Sequence, residues 1–292
     1  LKLPKGMIVG GDFRALAFSR DTKAFKEHRA FPMQMELEVG GQISEQFLAI
    51  GSVGFYDTDL QTQSHYLMTH INDNVYLRAG RFFPAYGIRT AEHSTSTRKG
   101  LGFNQGRESY NLEAGFMGES GEIVLDAILH SGQFELGDEE RGWSLRAAWY
   151  ALSRAQLGVS AYRGKGAVWD RSLLGVFAIA GLTKDIYLLT EVDQEHKSPI
   201  EEDEASTPEN TRLVTYNKIG YEFSKGMHIF GTYDASINRE GQYDPRLYAY
   251  GPGLQWIPRP HFEFSTQAQV KYDETWSNKP GYIVTLMGHY RL

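Results

Sequence analysis

Residues able to carry covalent chemistry are few in this chain, and their spacing works against them. His130 and Ser131 are adjacent. Neighbours on an extended strand point to opposite faces, so these two do not pair as base and nucleophile. The patterns G-x-S-x-G and H-E-x-x-H are both absent, and with them the hydrolase machinery they encode. His65 and His70 stand five residues apart; on a regular strand they face opposite sides and cannot share a metal. The acidic run EEDEAS at 201–206 reads as a solvated loop, and GKGAVW from Gly164 is no phosphate loop, since no helical pattern follows it. Cysteine is absent, which removes disulfides, thiol nucleophiles and Cys-based metal sites. The expectation is a protein that is not an enzyme and holds no cofactor or metal.

Positive charge is concentrated in one place. The segment 84–107, PAYGIRTAEHSTSTRKGLGFNQGR, carries Arg89, Arg98, Lys99 and Arg107 against a single acid, Glu92. His93 would add charge below about pH 6.5. A patternless loop of this length is functional or disordered. Folded into a channel as a constriction, it would favour anions. Left outside, its bases would meet lipopolysaccharide phosphates or water.

The elements that must position this segment are strands. Period-two alternation runs through almost the whole chain, and helical periodicity is nearly missing. From Phe262 the alternate residues are Phe262, Phe264, Thr266, Ala268, Val270 and Tyr272, with Glu263, Ser265, Gln267, Gln269 and Lys271 between them. Phe31 to Val39 places Phe31, Met33, Met35, Leu37 and Val39 on one face, and Trp143, Leu145, Ala147 and Trp149 do the same further on. A helix would spread such a pattern around its whole surface. Sixteen strands are expected, over 6–19, 30–40, 45–56, 63–71, 74–83, 108–117, 121–131, 142–151, 155–164, 169–181, 185–194, 211–222, 226–236, 245–256, 260–273 and 281–292. Most reach about ten residues, the length of a tilted strand crossing a bilayer rather than the usual five or six.

The connections alternate as well. Those after even-numbered strands are tight, such as NDN at 72–74, GESG at 118–121 and SKG at 224–226; the opposite set is longer and more varied. One short-turn end and one long-loop end is the layout of outer-membrane barrels. The 17 Tyr, 16 Phe and 5 Trp fit aromatic girdles at two interfaces. No stretch of 18 apolar residues occurs, so no membrane-spanning helix is present. A net charge of -6 argues against nucleic acid as the partner. The predicted fold is a single antiparallel transmembrane β-barrel over 1–292, of sixteen strands with fourteen as the fallback, and with 84–107 as an inward-folding constriction loop. A barrel of sixteen strands leaves an aqueous channel.

Alternation points Asp12, Glu36, Glu38, Glu113, Asp126, Glu191, Asp193, Glu222, Asp234 and Glu263 into that channel, with Arg14, Arg78, Arg146, Lys218, Lys271 and Arg291, so acids outnumber bases on the wall by ten to six. Three stretches break the pattern, one of them SHYLMTHI from Ser64, which alternates poorly. Pro252, between Gly251 and Gly253, predicts a bulge, because proline cannot donate to the ladder. The strand 169–181 is nearly all apolar, so its inner face is either covered by a loop or meets a partner.

The stretch VYLRAGRFFPAYGIRT, 75–90, resembles a segment of the outer-membrane porins of the phosphate-selective O and P group. Gly80, Phe82, Pro84 and Gly87 match the family's pattern, with Tyr86 where it often has Phe. The family's lysine cluster has no counterpart here. The resemblance implies a sixteen-stranded general or anion-preferring porin, usually a homotrimer. The expected function is passive diffusion of small hydrophilic solutes or ions across a bacterial outer membrane, with both termini periplasmic and with membrane lipid and lipopolysaccharide around the wall. The alternative is a scaffold barrel sheathing a periplasmic or extracellular plug protein, such as a multihaem cytochrome conduit or a secretion component. An outer-membrane enzyme is the third reading. The bets on the constriction are Arg89, Arg98, Lys99 and Arg107, with Arg14, Glu36, Glu38, Arg78, Glu113, Asp126, Arg146 and Lys271 on the wall.

Overall fold

Long alternating strands with one apolar face have two ways to bury it: stack two sheets, or close one sheet and turn the apolar face outward into lipid. This chain takes the second route. The computed structural model describes every residue except 1–5, 23–24, 57–58, 91, 93–94, 105, 131–138, 201–208, 241–245 and 275–278, and the side chains of 56, 59, 61, 239 and 240. His93, Ser131 and the acidic run 201–206 therefore lie outside the described residues.

The strands are β1 (Met7–Asp21), β2 (Lys26–Gln42), β3 (Phe47–Tyr56), β4 (Asp59–His70), β5 (Val75–Phe82), β6 (Ser109–Gly118), β7 (Gly121–His130), β8 (Arg141–Leu152), β9 (Ala155–Lys165), β10 (Trp169–Gly181), β11 (Ile186–Pro199), β12 (Asn210–Ser224), β13 (Met227–Glu240), β14 (Leu247–Arg259), β15 (Phe262–Asp273) and β16 (Gly281–Arg291). Each pairs antiparallel with its sequence neighbours, and β1 pairs with β16, so the sheet closes into a sixteen-stranded barrel. One five-residue π-helical turn, Ser96–Gly100, interrupts the connection between β5 and β6.

Burial is inverted relative to a water-soluble core. Leu125, Val176 and Leu286 on the outer face are about half exposed, while Asp126 and Asp193 on the inner face are fully buried. An outward apolar band around a polar interior is the pattern of a barrel standing in lipid. The three-strand seam that closes the barrel is held inside by charge. His289 of β16 lies 3.1 Å from Asp12 of β1 and 3.5 Å from Glu263 of β15, and Arg14 joins Asp12 at 3.0 Å.

Two details of the strand pattern differ from expectation. Phe31 does not share a face with Met35, Leu37 and Val39. The pairing of β1 with β2 shifts between Arg14 and Ala15, with Met33 as the extra residue, and Phe31 lands opposite Leu16 on the lumen side. At Pro252 no bulge forms. β14 pairs with β15 at Tyr250↔Val270 and resumes in the same register at Gly253↔Gln267. The two intervening pairs are lost, because proline has no N–H to give and Gly251 sits against the Ala268 carbonyl.

The inverted architecture sets a positional test. Leu125→Arg, at mid-height on the outer face, is expected to destabilise the folded barrel by about 2–4 kcal/mol, whereas Thr285→Arg in the lumen costs about 1 kcal/mol or less. Equilibrium unfolding in guanidinium from detergent or lipid measures both; equal costs would place both positions in water.

Candidate functional site

β5 is the shortest strand, and the chain leaves it at Phe82 to return at Ser109. Gly80 makes the exit possible: its φ is +143°, and a Cβ there would strike the β4 backbone at His65 and Tyr66. The connection then turns into the barrel and lies across the inner faces of β7 to β13. Two apolar clusters receive it. Tyr86, Leu101 and Phe103 of the loop pack with Ile128, Tyr162, Leu173 and Val214 of the wall. Ile88 packs with Ala148 and Phe177, with Ile179 and Leu189 at the edge. The Tyr86 and Phe103 rings stack with centroids 4.8 Å apart, and Phe103 meets Tyr162 edge-on at 5.5 Å. Fully burying one such side chain stabilises by about 1.5–3 kcal/mol. The apolar inner face of β10 is thereby explained: the chain's own loop covers it.

Polar latches hold the loop at both ends of its path. The wall carboxylates accept its donors: Asp126 takes the Ala85 amide at 2.7 Å, Glu191 the Ile88 amide at 3.1 Å, Asp193 the Tyr86 hydroxyl at 2.9 Å and Asp234 the Ser96 amide at 2.9 Å. Ser160 Oγ accepts from the Gly87 amide at 2.9 Å. The wall also donates. Arg146 Nε gives a bond to the Gly87 carbonyl at 2.9 Å, and the last carbonyls of the π-turn, Gly100 and Leu101, receive Arg212 at 2.7 Å and Arg171 at 2.8 Å. Arg171 is fixed bidentately by Glu140 at 2.9 and 2.8 Å and touches Glu195 at 3.3 Å; Glu195 also binds Arg212. Glu92, the one acid within 84–107, contacts Tyr216 and Lys218. Carboxylates that accept from backbone donors or from arginine forks make the strong form of such contacts.

The two halves of the lumen differ as a result. Under the loop, Ser144, Asp193 and Glu195 are almost wholly excluded from water. On the half built by β14 to β16 and β1 to β5, the inward Glu263, Gln267, Gln269, Thr285, His289 and Asp12 stay half-buried. Space for water therefore remains on that side, off the barrel axis.

The charged residues expected at the site are distributed over both halves. Arg89 and Lys99 are exposed on the loop. Among the described residues Arg89 donates to the Phe83 carbonyl, at 3.4 Å. Although open to water it is enclosed by protein, and that enclosure together with Arg78 holds its pKa below the ordinary guanidinium value, with Glu113 and Asp126 pulling the other way. Arg98 is not on the open face. It is buried, 5.7 Å from the Phe83 ring, without a carboxylate hydrogen-bonded to it among the described residues. Burial pushes its pKa down to about 10, so it keeps its charge at neutral pH. Arg107 is half-buried where the loop rejoins β6. On the wall, Arg78 pairs with Glu113 at 2.7 Å and lies over the Phe82 and Tyr66 rings at 3.7 and 4.9 Å. Arg14 pairs with Asp12, Arg146 with Glu122, and Lys271 lies 3.9 Å from Asp273. Glu36 accepts from Gln34 at 3.3 Å, and Glu38 is exposed towards the short-turn end. Asp126 is a loop anchor rather than a free wall charge. The excess of inward acids is likewise largely taken up, since Glu191, Asp193 and Asp234 also bind the loop.

Arg171, Glu140, Arg212 and Ser160 belong to this site and carry no motif, and Tyr86 belongs to it by a contact that the 75–90 resemblance did not point to. Glu195 was hidden by a boundary, because β11 runs on to Pro199 instead of ending at 194. One usable signal was Gly175 within the apolar run, where a Cβ would collide with the Asp193 carboxylate and crowd the Tyr86 hydroxyl.

No family model and no curated protein matches the chain. Solved structures do match it in fold. A loop L8 deletion form of OmpT, an outer membrane protein of Vibrio cholerae, is 9% identical with a TM-score of 0.76, over 98% of this chain and 99% of that one. The outer membrane channel DcaP of Acinetobacter baumannii is 11% identical at a TM-score of 0.68, over 100% and 99%. The anion-selective porin from Comamonas acidovorans is 9% identical at 0.68, over 98% and 99%. The chain has the fold of the outer-membrane porins.

Docking of the loop depends on Gly87, whose φ is +55° and whose Cβ would be driven into the Glu191 carboxylate. Gly87→Ala is expected to undock the loop while leaving the barrel folded. Limited proteolysis of the folded protein should then cut within 83–108, where the parent chain resists; equal resistance would show that the latches are dispensable.

Proposed function

We propose that the chain is a passive diffusion pore of a bacterial outer membrane, admitting small hydrophilic solutes or ions, and is not an enzyme. The observation that supports it most is the loop 83–108 latched against one half of the lumen, with Arg89 and Lys99 exposed on it. In this reading the loop is the constriction. Size is filtered by the space left between it and β14 to β16, and charge by the cations it carries. Arg98, buried behind them, adds to the same positive field. The wall cations Arg14, Arg78 and Arg146 are neutralised by partners and contribute little. Selection for anions follows from that imbalance.

The short turns face the periplasm and the long loops the exterior, as the layout of such barrels requires, which puts both ends of the described chain at the periplasmic side. Assembly as a homotrimer is part of the proposal; OmpT of Vibrio cholerae has a trimer form. A sheath around a partner protein is disfavoured, because the one apolar inner face that called for a plug is filled by the chain itself.

Planar-bilayer recording of the purified protein tests the reading. Ohmic steps of nanosiemens order are expected, with a reversal potential in a salt gradient on the anion side; silence in a folded sample would overturn the pore. Arg89→Glu with Lys99→Glu should move the reversal potential towards cations. A unit charge at about 4 Å in water is worth about 1 kcal/mol, about fivefold in the permeation of one ion, and each reversal changes the charge by two such units. The pH dependence has a definite sign. Arg98 is protonated below about pH 10, so its contribution to the preference for anions is present at neutral pH and is lost as pH rises through about 10.

A further inference from the structure

The outer wall carries a depression near the short-turn end. There a groove of about 840 Å³ crosses β6 to β10. Register explains it. Gly118 and Gly121 stand opposite each other facing outward, with Trp149 next in line; one step further along the strands, Phe116, Ile123, Ala147, Val159 and Val176 follow across the sheet. The glycine pair and Ala147 form the depression, and the larger side chains wall it. The floor cannot collapse outward or inward, because Ala148 and Phe177 behind it are packed against Ile88 of the docked loop.

We propose that this groove binds a lipid acyl chain whose headgroup carries a primary ammonium. The apolar trough suits the chain, since packing against a fixed shape is what selects a neighbour inside hydrocarbon. Two features at the turn end select the headgroup. Glu119 is exposed on the lip with no ion-pair partner among the described residues. Trp149, 57% exposed, offers an indole face at the level of Gly121. A carboxylate beside an aromatic face is the environment that an ammonium prefers.

Native mass spectrometry on protein released from detergent tests the proposal, with phosphatidylethanolamine and phosphatidylglycerol of identical chains as probes. Wild type should retain the ethanolamine lipid about fivefold better. Glu119→Gln, in an exposed turn, should erase that preference without removing binding. Ala147→Trp should fill the trough and remove both adducts. Equal retention of the two lipids by wild type, or adducts surviving in Ala147→Trp, would overturn the proposal. Loss of a protein oligomer instead of lipid in Ala147→Trp would assign the groove to a second copy and overturn it equally. The site requires the barrel to stand in a bilayer, so conductance recorded on the same preparations separates failure of that premise from failure of the site.

Discussion

In hydrocarbon a backbone N–H or C=O without a partner costs several kcal/mol, and no water is present to supply one. Everything else in this molecule follows from meeting that demand with strands. The sheet has to close, hence β1 on β16. Closure leaves the chain with an inside too wide to fill with side chains alone, and the long connection between β5 and β6 takes up half of it. The loop in turn brings its own backbone amides into a nearly dry space, where they need acceptors. The wall supplies them as carboxylates and a serine from β7, β9, β11 and β13. The acids that line the lumen are thus mainly answers to a second backbone problem, created by solving the first.

This division explains which parts of the structure could be read from the residues. Strand existence and facing followed from period-two alternation, because a sheet between lipid and water enforces it position by position; Phe262, Phe264 and Ala268 alternate with Glu263, Gln267 and Gln269 as they must. Where alternation misled, the cause was a single inserted residue, Met33, that turned Phe31 inward. The site was less legible. The cluster of bases in 84–107 stood out, yet the separation of Arg98 from Arg89 and Lys99 depends on how the π-turn packs against Phe83, which spacing does not encode. The inward acids were recognised as inward, but their partners are backbone amides 41 to 138 residues away in sequence, and any residue type can supply an amide. Arg171, Glu140 and Glu195 had no signature for the same reason: their roles are set by a fold-wide juxtaposition.

The charge distribution gains meaning only with those pairings in place. A census of inward residues gives an acidic lumen. The geometry removes Asp126, Glu191, Asp193 and Asp234 into latches and Asp12, Glu113 and Glu122 into ion pairs with arginines. The charges left to meet a passing solute are fewer, and those on the loop are positive. The apolar run in β10 and the acidic surplus, which read separately as oddities, are two aspects of one contact surface.

The reach of the loop also orders the assembly in time. Its bond to Asp234 cannot form before β13 exists, and its bond to Asp126 needs β7 already in place. Contacts this distant in sequence are slow to find and come late. The seam of β1 on β16, with Asp12 and His289 277 residues apart, is more distant still, so by the same rule the loop is seated before the barrel shuts and the lumen closes already narrowed.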